Sequence, residues 1–211
     1  MSVVKQLQVK AMNRRTLLLS AAALAVAGGA AQAQELSLNE VSAYLNQMQT
    51  AQGGFTQING DGTLSTGQIY IKRPGRIRFE YNAPDNSLVM AGGGQVAVFD
   101  PKSNTPADRY PLNQTPLNII LERNVNLGQA RMVTGHTSDG TKTTITAQDP
   151  AYPEYGNIQL VFTANPVELR QWIVTDDVGE QTTVILNDLV KGGSIGDAQF
   201  NIEAEMRRRG Q

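Results

Sequence analysis

Few side chains in this chain of 211 residues have the chemistry that catalysis requires. The sequence contains no cysteine and a single histidine, His136. The lack of cysteine excludes thiol nucleophiles, disulfides and zinc–thiolate or iron–sulfur sites. No nucleophile elbow, phosphate-binding loop or His-Glu-x-x-His motif occurs. We therefore expect no enzymatic activity, no metal site and no cofactor.

The remaining candidates for acid–base chemistry lie in predicted turns. Asp176 and Asp177 are neighbours in a glycine-containing turn, and Asp61 lies in another. Paired catalytic carboxylates face each other across a substrate, which two neighbours on one turn do not do. His136 comes just before a further turn, and we interpret it as an exposed residue at the end of a strand.

Arg73 is the side chain with the greatest need for a partner. Strand alternation puts Ile69, Ile71 and Arg73 on one face, and that face is otherwise aliphatic. A guanidinium at the rim of an apolar surface needs hydrogen-bond acceptors, because an unpaired buried charge is costly. Carbonyls at the end of a short neighbouring helix would supply them. The alternative is that Arg73 extends along a sheet edge to reach water.

The elements that position Arg73 are short β-strands. Apolar and polar residues alternate in each, and turn signals rich in glycine, asparagine and aspartate separate them. About ten strands at this spacing predict a large antiparallel sheet that is curved or closed. The predicted strands include Gln68–Lys72, Arg76–Tyr81, Gln95–Phe99, Lys142–Ala147, Ile158–Thr163, Glu168–Thr175 and Gln181–Leu186.

Two helices are predicted beside the strands. Ser37-Leu38-Asn39-Glu40 is a capping box, and an apolar stripe (Leu38, Val41, Leu45 and Met48) follows at helical spacing, with Gly53-Gly54 expected to end the helix. A second, short helix is predicted to have Thr115 as its cap and Pro116 at its first position. A helix of two turns is not stable alone, so we expect this one to lie on an apolar surface.

The first 33 residues have the pattern of an export signal. Arg14 and Arg15 precede the apolar stretch Leu17–Ala27, which is short for a membrane span, and Ala31-Gln32-Ala33 fits the cleavage rule. We expect cleavage after Ala33, by the general or the twin-arginine export route; a membrane anchor or a buried helix is the alternative. A single domain over residues 34–211 would remain, ending in a short basic tail.

The charge balance argues against nucleic acid as a partner. Residues 1–33 contain four basic residues and no acidic ones, so the remainder has 14 basic and 19 acidic residues and a net charge of -5. Nucleic-acid binding needs a basic surface. Arg207-Arg208-Arg209 is expected to be a solvated tail, or else a weak attractor of anionic headgroups.

The stretch from Gly67 to Tyr81 resembles the signature of the outer-membrane lipoprotein carrier (LolA) family, above all in Lys72-Arg73-Pro74-Gly75 followed by Phe79 and Tyr81. Phe55-Thr56-Gln57, Asp100-Pro101 and Thr115-Pro116-Leu117 follow the order expected for that family, so the resemblance covers nearly all of residues 36–203. It implies a mainly β fold with short helices (α+β). The expected architecture is an unclosed antiparallel β-barrel, or half-barrel, capped by an N-terminal helix and a short lid helix around a hydrophobic cavity.

The resemblance also implies a function. Members of the family accept acylated lipoproteins from an inner-membrane ABC exporter and carry them across the periplasm to the outer membrane or to an acceptor lipoprotein there. We therefore expect a periplasmic monomer. In the family, the arginine matching Arg73 hydrogen-bonds to the lid backbone and holds the empty cavity shut; Ile77 stands where some relatives have phenylalanine. The expected lid residues are Leu117, Ile120 and Leu121, and the expected acyl-contacting residues are Ile69, Ile71, Ile77, Phe79, Tyr81, Val89, Val98, Leu160 and Phe162.

Other interpretations stay open at this point. A periplasmic sensor of lipids or lipopeptides could share the fold, although a sensor usually has a second domain or an anchor, which favours the carrier. A carrier of another lipid is possible, because a hydrophobic cavity recognises chains more than headgroups. The apolar strand faces could also form an ordinary β-sandwich core, since a core and a cavity both need inward apolar residues.

Overall fold

The computed structural model describes residues 35–103, 105–128 and 131–210; the expected signal segment, residues 1–33, lies outside this range. Within it are three α-helices: α1 (Leu38–Gln47), α2 (Leu117–Leu121) and α3 (Ile202–Arg209). In these ranges no helix has both the length and the apolar character needed to cross a membrane.

The described residues form one antiparallel sheet of eleven strands, in the order β6-β5-β4-β3-β2-β1-β11-β10-β9-β8-β7. The first and last strands pair in the middle, so β6 and β7 form the two edges and the sheet is not closed. The predicted mainly β, unclosed architecture is confirmed. The strands are β1 (Thr50–Ile58), β2 (Leu64–Lys72), β3 (Arg76–Tyr81), β4 (Leu88–Gly92), β5 (Gln95–Phe99), β6 (Asp108–Pro111), β7 (Val133–Ser138), β8 (Lys142–Gln148), β9 (Asn157–Thr163), β10 (Glu168–Thr175) and β11 (Gln181–Lys191).

The alternation seen in the sequence separates the two faces of the sheet. In β2, Ile69 and Ile71 are buried while Gln68 is exposed, and in β3, Ile77 and Phe79 are buried. We call the face that contains these residues the inner face; α1 and α2 pack on it in one apolar cluster. Full burial of an isoleucine, leucine or phenylalanine side chain stabilises the folded state by about 1.5–3 kcal/mol relative to leaving it exposed. This cluster therefore dominates the packing energy.

Helix α1 begins where the sequence predicted it to begin, but it ends earlier than predicted. Ser37 and Glu40 form the predicted capping box, with the Ser37 amide 2.8 Å from a Glu40 carboxylate oxygen. The helix ends at Gln47, and Gly53 and Gly54 lie within β1. A Cβ on Gly53 would lie 2.9 Å from the Asn187 carbonyl oxygen of β11. The glycine therefore permits a close approach of two strands at a bulge, and the prediction that it ends the helix was wrong.

The outer face of the sheet is partly covered by α3. Leu88 and Met90 of β4 and Phe99 of β5 form a second apolar cluster with Ile202 of α3. Asn201 caps this helix by accepting a hydrogen bond from the Ala204 amide at 2.9 Å. A helix therefore docks where the sequence had suggested a tail.

Arg207-Arg208-Arg209 is helical and not the expected tail, although Arg207 and Arg208 are exposed to solvent as expected. These residues form the last turn of α3, where arginines also interact favourably with the helix dipole. Arg208 and Arg209 both donate to the buried Glu205 carboxylate, and the Arg209 guanidinium lies 5.0 Å from the centre of the Phe99 ring. Spacings of three and four residues bring Arg208 and Arg209 onto the same side of the helix as Glu205.

Candidate functional site: an apolar sheet face covered by two helices

The structure brings the predicted acyl-contacting residues together on the inner face. Six of them are buried in a single cluster: Ile69, Ile71, Ile77, Phe79, Leu160 and Phe162. Tyr81 and Val89 are half-buried and pack against that cluster. Val98 pairs with Val89 in the register of β4 and β5, so it shares the face and is half-buried as well.

Two large aromatic residues of this face, Phe55 and Trp172, and one on α1, Tyr44, were not predicted. Phe55 makes edge contacts with Phe79 and Tyr81, with ring centres 5.4 and 5.1 Å apart. Trp172 lies 6.2 Å from Phe79, and Tyr44 of α1 contacts Phe162 at 5.6 Å. Alternation did not reveal Trp172, because a register shift between Leu169 and Gln171 breaks the period of two. The spacing of Tyr44 on α1, three residues after Val41, was the available signal for that residue.

The short helix α2 covers part of the inner face, as predicted. Ile120 and Leu121 are buried in the cluster, and Leu117 is half-buried against it. Ile119 is buried as well and was missed. The predicted cap was wrong: Pro116 occupies the cap position, and the Thr115 hydroxyl donates to the Leu112 carbonyl at 2.8 Å, in the single helical turn that precedes α2.

The Arg73 guanidinium connects both covering helices. It donates to the Leu45 carbonyl near the end of α1 and to the Glu122 carbonyl at the end of α2, and it lies 3.4 Å from the Asn46 side-chain oxygen. We call Arg73 with these three acceptors the Arg73 latch. Arg73 is only 4% exposed, so it does not extend along the sheet edge to water. Burial lowers its pKa, and the nearby Glu122 charge opposes that shift.

Backbone contacts support the Arg73 latch on the sheet side. The Arg73 amide donates to the Gln49 carbonyl and the Gly75 amide donates to the Leu121 carbonyl, each at 2.8 Å. Gly75 has a φ of +71°, a conformation that glycine adopts without strain. The turn between β2 and β3 therefore presents both the guanidinium and a backbone donor to the end of α2.

Asn46 ties the segment that follows α2 to α1. Its side-chain nitrogen donates to the Val125 carbonyl at 2.8 Å, and its oxygen accepts from the Val125 amide at 2.9 Å. One turn earlier in α1, the Ser42 hydroxyl accepts from the Leu127 amide at 3.0 Å. These bonds join α1 and residues 122–127, so the two helices form a connected cover over the inner face.

Titratable groups near the cover are few. The pKa of Glu122 is raised by burial and by the Asp149 charge, while Arg73 acts in the opposite direction. His136 is half-buried instead of exposed: its Nε2 lies 2.8 Å from the Leu36 carbonyl and 3.3 Å from a Glu35 oxygen. Across the ranges that the structure describes, no cluster of three or more histidine and acidic side chains is arranged to hold a metal. The site consists of apolar surface beneath a hydrogen-bonded cover, which suits hydrocarbon chains.

Comparisons with known proteins agree with this geometry. The family model described as outer membrane lipoprotein carrier protein LolA matches residues 46–203. The outer-membrane lipoprotein carrier protein of Azotobacter vinelandii is 28% identical over 197 residues, covering 90% of this chain and 93% of the relative. The protein of the same description from Chromohalobacter salexigens is 27% identical over 183 residues, covering 82% and 85%.

Among solved structures, a LolA superfamily protein from Nitrosomonas europaea is similar, with a TM-score of 0.41, 14% sequence identity and coverage of 79% of this chain and 98% of that one.

The family model spans well over half of the chain and includes Arg73 and the apolar strands β2, β3 and β9. The chain therefore belongs to the LolA family of outer membrane lipoprotein carrier proteins.

Proposed function

We propose that this protein is a periplasmic carrier of acylated lipoproteins. Residues 1–33 direct export and are removed, and the domain of residues 34–211 acts as a monomer. It receives lipoproteins from an inner-membrane ABC exporter and delivers them to the outer membrane or to an acceptor lipoprotein there. The observation that carries the proposal is the Arg73 latch, which holds a two-helix cover over a large apolar sheet face. The named relatives, which are carriers, favour this function over that of a lipid sensor.

The energetics of the cargo fit an exchange mechanism. At ~0.8 kcal/mol per buried CH₂, three long acyl chains represent roughly 30 kcal/mol of membrane attachment, so a carrier must offer comparable apolar area. On the inner face, that area contacts the apolar side chains of α1 and α2. When the cover lifts, acyl chains take the place of those side chains against the nine predicted residues. One apolar contact then replaces another, which keeps loading reversible.

Release follows from competition between the cover and the cargo. The Arg73 latch stabilises the closed form, and cargo stabilises the open form, so each shifts the population away from the other. Cargo binding is then strong relative to water and weaker than it would be to a permanently open face. This is the balance that a shuttle between two membranes requires.

The proposal is tested by release of lipoprotein from membranes. Spheroplasts that hold a labelled lipoprotein in the inner membrane are incubated with and without the purified mature domain. We expect a soluble 1:1 complex only when the domain is added. The proposal is wrong if lipoprotein stays in the membrane fraction in both cases.

A second measurement locates the acyl chains. Trp172 is the single tryptophan of the sequence and is 1% exposed on the inner face. A lipopeptide with dibrominated acyl chains is expected to quench its fluorescence, because bromine quenches on contact. Iodide in water serves as the control, and it should leave the emission unchanged. Failure of the lipopeptide to quench would place the chains elsewhere.

A further inference from the structure

The two ends of α2 are held differently. At its C-terminal end, Leu121 and Glu122 accept hydrogen bonds from Gly75 and Arg73, and Asn46 holds Val125 just beyond. At its N-terminal end, the hydrogen bonds described for residues 115–119 stay within residues 112–122, for example from the Thr115 amide to the Leu112 carbonyl at 3.0 Å and from the Glu122 amide to the Asn118 carbonyl at 2.9 Å. Among the hydrogen bonds of the described residues, those that tie α2 and the segment after it to the sheet and to α1 are therefore all at the C-terminal end of α2.

A groove lies between α2 and residues 149–156. It has a narrower section with a volume of about 120 Å³ and a wider section with a volume of about 390 Å³. The two sections share Thr115, Pro116 and Tyr155, and we call them together the α2 groove. The wider section lies beside the N-terminal end of α2 and extends from Tyr110 to Val174.

The walls of the α2 groove continue into the inner face. Ile119 belongs to the buried cluster of that face, and Met132 and Val174 pack against the same cluster. At the outside, Tyr110 is 52% exposed, and Tyr155 stacks on Tyr152 with ring centres 5.1 Å apart. Aromatic rings with a polar tip are suited to a place where hydrocarbon meets water. Apolar side chains of the groove walls therefore belong to the cluster of the covered face or pack against it.

The charged residues that line the α2 groove are acidic. Glu122 and Asp149 line the narrower section, and Asp176 and Asp177 line the wider section. Among the described residues that line either section there is no lysine or arginine. Such a rim repels anionic headgroups and leaves an N-acylated diacylglyceryl-cysteine, which has three acyl chains and no charge, unaffected.

We propose that an acyl chain of the cargo enters the inner face through the wider section of the α2 groove, at the N-terminal end of α2, while the Arg73 latch still holds the other end. This inference rests on the proposed function and adds the route and its selectivity. The occupant is the acyl chain of a lipoprotein, because apolar residues of the groove walls pack in the same cluster as the face proposed to hold such chains. Its acidic rim disfavours the anionic phospholipids of the donor membrane.

The route is tested by the rate at which dibrominated chains quench Trp172. The probe is a synthetic cysteine lipopeptide with three dibrominated acyl chains and an uncharged peptide segment, mixed with the mature domain in a stopped-flow instrument. Thr115→Phe narrows the α2 groove, so we expect a rate at least fivefold lower with the final amplitude unchanged. Tyr155→Ala widens it, so we expect a faster rate, the opposite change from Thr115→Phe. Thr137→Phe, at an exposed threonine of β7, is the matched control and should leave the rate unchanged.

The outcomes separate the route from the function. If quenching occurs but Thr115→Phe and Tyr155→Ala both react at the wild-type rate, the route is wrong and the carrier function stands. If the unmodified domain shows no quenching at all, the carrier function fails. Vesicles of phosphatidylglycerol and of zwitterionic phosphatidylcholine with the same dibrominated chains form the second arm, and we expect slower quenching by phosphatidylglycerol than by phosphatidylcholine. Quenching by phosphatidylglycerol that is as fast as that by phosphatidylcholine, or faster, would overturn the selectivity.

Discussion

Replacing Arg73 by leucine is expected to open the two-helix cover without unfolding the sheet. The change removes the hydrogen bonds to the Leu45 and Glu122 carbonyls, for which ~1.5–3 kcal/mol each is typical when the donor is charged. Relief from burying the guanidinium offsets some of this loss. A net change of about 3 kcal/mol shifts the ratio of closed to open forms roughly a hundredfold, because 1.4 kcal/mol corresponds to a factor of ten.

The functional consequence is retention of cargo. When the closed form no longer competes, the apparent affinity of the protein for acyl chains rises by up to the same factor, while the affinity of the open form itself is unchanged. We therefore expect Arg73→Leu to load lipoprotein and to transfer it to acceptor vesicles far more slowly than the wild type. Arg76→Leu is the matched control, since Arg76 binds the exposed Asp197 on the protein surface. Transfer by Arg73→Leu at the wild-type rate would refute the latch mechanism.

Hydrogen exchange provides an independent check of the same equilibrium. The Gly75 amide donates to Leu121 of α2, so it loses its partner when the cover lifts. Its exchange should accelerate in Arg73→Leu and remain slow in Arg76→Leu. Equal protection in both variants would show that Arg73 does not control the cover.

Three further variants test other regions of the structure. Asn46→Ala removes both bonds to Val125, so exchange of the Val125 amide should accelerate by at least tenfold, whereas Gln47→Ala on the exposed side of α1 should leave it unchanged. The raised pKa of Glu122 favours folding fully below the ordinary carboxyl pKa, and this contribution is lost as the pH rises through the raised value. Glu122→Gln should therefore be more stable than the wild type at pH 7 in urea unfolding, and the gain should disappear in acid. For Glu205, burial alone would raise the pKa, but the hydrogen bonds from Arg208 and Arg209 and the Arg78 charge outweigh it and lower the pKa from 4.5 to about 2. At 1.36 kcal/mol per unit this represents ~3 kcal/mol, present above pH 4.5 and lost as the pH falls towards 2. Glu205→Gln should remove it at pH 7.

Each of these expectations has a result that contradicts it. Unchanged Val125 exchange in Asn46→Ala would mean that the two helices are not coupled through Asn46. A lower stability of Glu122→Gln at pH 7 would show that the attraction to Arg73 exceeds the burial penalty and the repulsion from Asp149. For α3, Glu203→Gln at an exposed position is the control, and equal unfolding free energies of the two glutamine variants would exclude the buried carboxylate as the source of stability.

The sequence predicted those features that depend on local periodicity. The alternation of Ile69, Ile71 and Arg73, and that of Ile77 and Phe79, defined which side of β2 and β3 is buried. A period of two leaves each residue a fixed face whatever the neighbouring strand is. The capping box at Ser37 and the apolar α2 were predictable for the same reason, because helix caps and stripes are encoded within a few residues.

Contacts between distant segments of the chain could be settled only by the tertiary structure. Arg73 was seen to need acceptors, but the two carbonyls that it reaches, Leu45 and Glu122, lie 28 and 49 residues away. The bulge in β10 moved Trp172 out of the expected alternation, and Gly53 proved to serve strand packing because β11 passes close to it. The docking of α3 on Phe99 and the α2 groove likewise depend on how separate elements meet. Sequence periodicity fixes the face on which a side chain lies, whereas its partners depend on packing between segments that are far apart in the chain.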